Sequence, residues 1–227
     1  DFATLNVLTA RGDLLTRDAS AFVRLPVGAA GTLVSSDGRD ASWQTLAAAN
    51  IALKLLASGD AAGATLDLDL SSYTDYRGLI FKLYGIVPAT DNVNFFCKFS
   101  TDGGSTWIGS GYNWTQIHSN DTPASATQGN GSDAAVAISA IAGGTAGVGN
   151  GANEGINVSL ELLGWQLSTL WPRVTYQAYY IDATATPAGR QVTGGGANET
   201  AQDLTGLQFS FAAGNIASGT YAVYGLT

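Results

Sequence analysis

Short apolar segments that alternate with polar residues run through most of this chain, and turns rich in glycine separate them. In residues 66–70, leucine occupies every second position and alternates with Asp67 and Asp69. Residues 207–211 alternate in the same way. A period of two belongs to a β-strand with one buried face, and a helix does not produce it. The pattern therefore predicts an all-β protein built of short strands.

The turn residues indicate how these strands connect. The chain has 29 glycines against five prolines, which permits many tight turns. About ten candidate strands follow one another at regular intervals, and they predict an antiparallel, jelly-roll-like β-sandwich over residues 46–227. Asp102-Gly103-Gly104 predicts a hairpin between two of these strands. Three stretches with few large apolar residues predict loops: 122–133, 142–155 and 194–203.

Residues 1–45 have a different composition and predict a short, β-rich connector. Their apolar residues come in pairs broken by Gly, Asp and Arg, so the segment can bury little by itself. It would be stable when wound around identical copies of the chain. Arg11-Gly12-Asp13 has the letters of an integrin ligand, but Leu14 and Leu15 follow at once, and a turn explains the glycine equally well.

Charge and composition exclude several functional classes. Eighteen acidic against ten basic residues give a net charge of −8, and no Lys or Arg lies between Lys98 and Arg173. Nucleic-acid binding needs clustered cations, so it is not expected. No apolar run of about 18 residues is present to insert into a membrane. The absence of methionine favours a processed product or a fragment of a longer polypeptide.

The residues that carry chemistry in enzymes are sparse. Cys97 and His118 are the single cysteine and the single histidine, which excludes a zinc site built from Cys and His within one chain. Cys97 is predicted to be a buried, inert thiol. No carboxylate lies in a recognisable acid–base context, and no nucleophile or phosphate-binding motif occurs. We therefore expect no catalytic residues, no metal and no cofactor.

The aromatic residues give the best candidate for a binding site. Aromatic faces beside amide groups suit sugars, because the rings stack on C–H faces and the amides bond to hydroxyls. Most of the tyrosines and tryptophans are predicted to fill the core. The exception is the segment 109–118, which lies beside a stretch rich in loop residues. The glycan-binding candidates are Trp107, Tyr112, Asn113, Trp114 and His118.

One order of motifs resembles bacteriophage virion proteins. Residues 9–43 are similar to a connector of tailed-phage fibres, in which Thr-x-(Lys/Arg)-Gly-Asp-Leu-Leu leads to Arg-Leu-Pro-Val-Gly and then to Gly-x-x-Leu-x-Ser-Asp-Gly and Trp. The matching residues are Thr9, Arg11–Leu15, Arg24–Gly28, Gly31, Leu33, Ser36–Gly38 and Trp43. Residues 87–107 and 212–227 resemble parts of the β-sandwich domains that often follow such connectors.

The resemblance implies a virion component without catalytic residues, commonly a trimeric tail fibre or spike. We therefore expect a homotrimer that attaches to other virion proteins through residues 1–45 and adheres to host surface polysaccharide. The alternative is a capsid-decoration, head-fibre or tail-assembly protein with no specific ligand. Both alternatives place the protein in the virion, on a tail appendage or on the capsid surface.

Overall fold

The computed structural model describes residues 10–17, 22–30, 32–36, 41–45, 53–120, 125–139, 147–184, 186 and 188–227. The chain divides into two compact units, Asp1–Ile51 and Ala52–Thr227. All regular elements of the described residues are β-strands, joined in antiparallel pairs. The prediction of an all-β, antiparallel sandwich is therefore confirmed, while the jelly-roll connectivity stays a prediction.

The first unit contains two separate two-stranded sheets in its described part. Its strands are β1 (Leu14–Arg17), β2 (Phe22–Leu25), β3 (Thr32–Ser36) and β4 (Ala41–Thr45). β1 pairs with β2, and β3 pairs with β4. The turn predicted at Asp37-Gly38 lies outside the described residues.

The Arg-Gly-Asp tripeptide forms a turn before β1. Gly12 has a φ of +97°, a conformation that glycine adopts without steric cost. The carboxylate of Asp13 is fully buried and accepts a hydrogen bond of 2.7 Å from the Nε of Arg24. It also accepts hydrogen bonds from the backbone N–H groups of Ala10 and Val27. The aspartate therefore holds the first hairpin together and does not present its carboxylate at a loop tip.

The second unit is a sandwich of one large and one small sheet. The large sheet has eight strands in the order β10-β9-β14-β13-β12-β7-β16-β5, and the small sheet has four in the order β11-β8-β15-β6. The strands are β5 (Leu53–Asp60), β6 (Leu66–Asp69), β7 (Gly78–Pro88), β8 (Phe95–Ser100), β9 (Tyr112–Asn120), β10 (Ser125–Asp133), β11 (Val136–Ala137), β12 (Gly155–Leu163), β13 (Arg173–Ile181), β14 (Gly189–Asn198), β15 (Gly206–Phe211) and β16 (Ile216–Leu226).

Alternating apolar side chains from both sheets meet in one core. The ring of Phe81 on β7 packs edge-on against that of Phe209 on β15, with centroids 6.1 Å apart. Phe209 also stacks on Phe95 of β8 at 5.9 Å. Cys97 lies fully buried in this core, as predicted, and burial raises the pKa of its thiol. Each aromatic side chain of this size buries roughly 150–250 Å², so the contacts between the sheets account for much of the stability.

The prediction of a hairpin at Asp102-Gly103-Gly104 is wrong. The strands on either side of this turn belong to different sheets: β8 lies in the small sheet and β9 in the large one. The chain begins to fold back, since the N–H of Ile108 donates to the carbonyl of Phe99 at 2.9 Å. The chain then crosses to the large sheet, where β9 begins at Tyr112. The buried ring of Tyr112 packs against that of Phe99, with centroids 5.3 Å apart.

The prediction of a loop is partly wrong for two of the three stretches. Most of the stretch 122–133 belongs to β10, which pairs with β9 at the edge of the large sheet. The stretch 194–203 begins inside β14, which lies between β9 and β13. Gly, Ser and Asn are poor strand formers, but pairing with neighbouring strands overrides that preference. The third stretch, 142–155, falls partly outside the described residues.

Candidate functional site

Tyr112, Trp114 and His118 lie on the inner face of β9. Their exposed fractions are 0%, 9% and 6%. The hydroxyl of Tyr112 accepts a hydrogen bond from the N–H of Phe99 at 2.8 Å and donates to the carbonyl of Ile108 at 3.2 Å. The indole Nε1–H of Trp114 donates to Asp133 at 3.0 Å. Burial lowers the pKa of His118, so its imidazole is neutral at pH 7. In this structure these three side chains offer no face to a sugar.

Trp107 and Asn113 are half-buried and do not belong to that inner-face group. Trp107 packs beneath the turn after β8, where a Cβ added to Gly104 would lie 3.2 Å from the indole ring. Asp102 accepts hydrogen bonds from the hydroxyl and N–H of Thr106, and these bonds lower its pKa to about 2. Asn113 is on the outer face of β9, where its Nδ2 donates to Glu199 at 3.3 Å.

The outer face of the large sheet carries three adjoining depressions, which together we call the outer-face groove. Their volumes are about 420, 350 and 390 Å³. Ser159 and Gln177 line both the first and the second, and Thr175 lines both the second and the third. The shared residues show that the three depressions adjoin one another, and together they cover parts of strands β7, β12, β13, β14 and β9. The groove spans Arg173 to Tyr179 along β13, a length of about 20 Å.

Two exposed tyrosines mark one end of the groove, which we call the tyrosine end. Tyr84 is 48% exposed and Tyr179 is 51% exposed. The register places Asn157 opposite Tyr179, and Tyr179 opposite Gln191. The Tyr179 hydroxyl lies over Gly189, where a side chain would collide with it. Aromatic rings and amides therefore share one surface on rigid strands.

The floor of the tyrosine end is fixed by hydrogen bonds between neighbouring strands. The Oδ1 of Asn157 accepts the backbone N–H of Gly85 at 2.8 Å, where β7 is bulged. Gly85 has a φ of +56°, which the bulge requires. Lys82 donates from its Nζ to the hydroxyl of Ser159 at 2.8 Å. Desolvation and the neighbouring Tyr224 raise the pKa of Tyr84, so its phenol is a neutral hydrogen-bond donor at pH 7.

A missing side chain opens the far end of the groove. Gly195 on β14 lies between Thr115 and Thr175 on the outer face. Because glycine has no side chain, the two threonines flank an open space. Arg173 and Asn113 also line this end. Asn113 is thus the one predicted site residue whose side chain lies on the outer face beside the groove.

The groove contains few charged side chains. The depressions are lined by Lys82, Glu161 and Arg173 together with neutral residues. A glycoside hydrolase of the usual kind uses a pair of carboxylates that flank the scissile bond, and the lining includes one carboxylate, Glu161. Among the described residues, no group of three or more His, Cys, Asp and Glu side chains could hold a metal ion.

The sequence around Tyr179 indicates that this tyrosine lies at the surface. In the segment 173–181 the apolar residues Val174, Tyr176, Ala178 and Tyr180 all face inward. Tyr179 has the opposite parity and shares its face with the polar Thr175 and Gln177. A tyrosine on the polar face of a strand is a better surface candidate than one on the apolar face. Tyr84 likewise has the parity of Lys82 and opposite parity to the buried Phe81 and Leu83. The signal is weaker there, because the apolar Ile80 shares that face.

No protein family, no curated protein and no solved structure matches this chain. Among the residues that the structure describes, no helix is long and apolar enough to span a membrane.

Proposed function

We propose that this chain is a trimeric bacteriophage virion appendage that adheres to host surface glycan through the outer-face groove. The observation that carries the proposal is the tyrosine end, where Tyr84 and Tyr179 stay half-exposed among amide side chains. The order of motifs in residues 9–43 supports the assignment to a virion, because it resembles the connectors of tailed-phage fibres.

The chemistry of the groove suits a sugar chain. The faces of Tyr84 and Tyr179 can stack on pyranose C–H groups, while Asn157, Gln177 and Gln191 bond to hydroxyls. All five side chains come from paired strands, so their backbone positions are set before a ligand arrives. The side chain of Asn157 is also held in place by its hydrogen bond with the N–H of Gly85. The length of the groove, about 20 Å along β13, fits a stretch of several sugar rings.

Adsorption of the purified chain to cells of the host tests the proposal. We expect Tyr179→Ala and Tyr84→Ala each to weaken cell binding about tenfold, because each removes one aromatic stacking surface. Ile117→Ala is the matched control: Ile117 is 59% exposed and lies on the outer face of β9 outside the groove. Normal adsorption by a folded Tyr84→Ala, Tyr179→Ala double variant would rule out the groove as the binding surface.

The alternative, a capsid-decoration, head-fibre or tail-assembly protein without a specific ligand, gives a different result in the same assay. The wild-type chain would then not bind host cells. In immunogold electron microscopy of the virion with an antibody against residues 60–227, label over the capsid would favour a decoration or head-fibre protein, and label on the tail fibres would favour the adhesin. Release of reducing ends from host polysaccharide would instead indicate a glycan-degrading enzyme.

A further inference from the structure

We infer that the tyrosine end selects an acidic sugar and that Lys82 binds the carboxylate of that sugar. The inference rests on the proposed function, since it names the class of sugar that the outer-face groove takes. It comes from the charge at the tyrosine end, which is opposite in sign to that of the whole chain.

The local charge is unusual for this protein. Acidic residues outnumber basic ones by eighteen to ten, so an arbitrary surface depression is more often lined by carboxylates than by cations. The depression at the tyrosine end is lined by Lys82 and by no Asp or Glu. A negatively charged ligand, which most of the surface would repel, meets a single cation there.

Lys82 is held in place and keeps donors for a ligand. Its Nζ donates to the hydroxyl of Ser159 at 2.8 Å, and an ammonium group has three donors. Within the described residues, no acidic group lies within 4 Å of the Lys82 ammonium. On the other side of β7, Lys82 pairs with Ala222, and Thr220 and Tyr224 flank that alanine on β16. The residues directly opposite Lys82 on the two adjacent strands, Ser159 and Ala222, are therefore neutral. Glu161 is the diagonal neighbour of Lys82 on β12.

Glu161, the one carboxylate that lines the groove, restricts how closely negative charges can follow one another along a bound glycan. Glu161 is two residues from Ser159 on β12 and lines the adjoining depression. A polymer with a charge on every ring would bring one carboxylate against Glu161 while another binds Lys82. The opposite charges of Lys82 and Glu161 therefore favour an acidic sugar whose immediate neighbours in the glycan chain are neutral.

Saturation-transfer NMR with simple glycosides tests the inference. The probes are methyl β-D-glucuronide and methyl α-D-galacturonide, each compared with its neutral glucoside or galactoside. A ligand of this size binds with about millimolar affinity, which the method detects. We expect the acidic glycosides to bind about five- to tenfold more tightly than the neutral ones, with the difference shrinking at high salt.

Variants of Lys82 locate the effect. We expect Lys82→Gln to abolish the preference for the acidic glycosides, and Lys82→Arg to retain most of it, because arginine keeps the charge. Lys54→Gln is the matched control, since Lys54 is an exposed lysine on β5 and its loss changes the net charge equally. Lys54→Gln should bind like the wild type.

Equal binding of acidic and neutral glycosides, an unchanged preference in Lys82→Gln, or no binding of any glycoside would each overturn the inference. The proposed function is judged separately by the adsorption of Tyr179→Ala to cells. Loss of cell binding in Tyr179→Ala together with wild-type binding in Lys82→Gln would keep glycan adhesion and reject the acidic sugar.

Discussion

At the scale of single residues, the most constrained charge in the sandwich is Asp182, which follows β13. Its side chain is fully buried, and its Oδ2 accepts a hydrogen bond from the Nε of Arg190 at 2.7 Å. Its Oδ1 accepts bonds from the hydroxyl of Thr184 at 2.7 Å and the N–H of Ala188 at 3.0 Å. Desolvation raises the pKa of Asp182, but these hydrogen bonds outweigh it and lower the pKa below 3.8. The carboxylate therefore stabilises the fold in its ionised form.

We expect Asp182→Asn to lower the free energy of unfolding by about 3 kcal/mol at pH 7, because it breaks a buried ion pair. A lowered folded pKa means that this stability is full above the unfolded value of 3.8 and is lost as the pH falls through the folded value. The deficit of the variant should therefore shrink in acid. Urea unfolding at pH 7 and near pH 3 measures it, with the exposed Asp75→Asn as control. A deficit that stays constant with pH would contradict the argument.

At the scale of elements, β14 shows that packing decides where glycine is needed in a strand. Gly194 faces the core, and a Cβ there would lie 2.5 Å from the Tyr176 hydroxyl and 2.6 Å from the carbonyl of Thr115. The same Tyr176 hydroxyl donates to the carbonyl of Ala137 at 2.6 Å. The glycine thus leaves room for a buried tyrosine that joins the large sheet to β11.

We expect Gly194→Ala to destabilise the sandwich by about 2 kcal/mol through overpacking. Gly131→Ala in β10 should be nearly neutral, because nothing lies within 4 Å of the added Cβ. Tyr176→Phe removes the hydroxyl that collides with the new methyl group. In a double-mutant cycle by thermal unfolding, the two changes together should therefore cost less than their sum. Strict additivity would show that Tyr176 does not limit the space at Gly194.

The elements also show which features the sequence predicts and which it does not. Residues 66–70 were predictable, because their leucines face the core and their aspartates face solvent. The sequence did not predict that residues 125–133 form the strand β10, because their Gly, Ser and Asn residues carry no periodic signal. Pairing with β9 holds them in the sheet. The connection after Asp102 depends on which sheet receives Tyr112, a long-range contact that local turn chemistry cannot encode. Because the sequence does not show which sheet covers β9, it could not exclude Tyr112 and Trp114 as binding-site candidates, although both are buried.

At the scale of the whole molecule, the first unit exposes the apolar residues that a self-associating connector would bury. The described residues of this unit include five large apolar side chains that are 42–55% exposed: Leu14, Leu15, Val27, Leu33 and Val34. Leu14 and Leu15 are consecutive on β1, and Leu33 and Val34 on β3, so apolar residues lie on both faces of each hairpin. A two-stranded hairpin has marginal stability alone. Association of identical chains would cover both faces at once.

We therefore expect the whole chain to be a trimer in solution, with residues of the first unit at its interface. Leu33→Ser combined with Val34→Ser should shift the mass measured by light scattering from three chains to one, because it removes apolar area that association would bury. Leu163→Ser is the matched control, since Leu163 is 48% exposed but belongs to the second unit. It should leave the mass unchanged. A monomeric wild-type chain would reject the trimer, and dissociation by Leu163→Ser would move the interface to the sandwich.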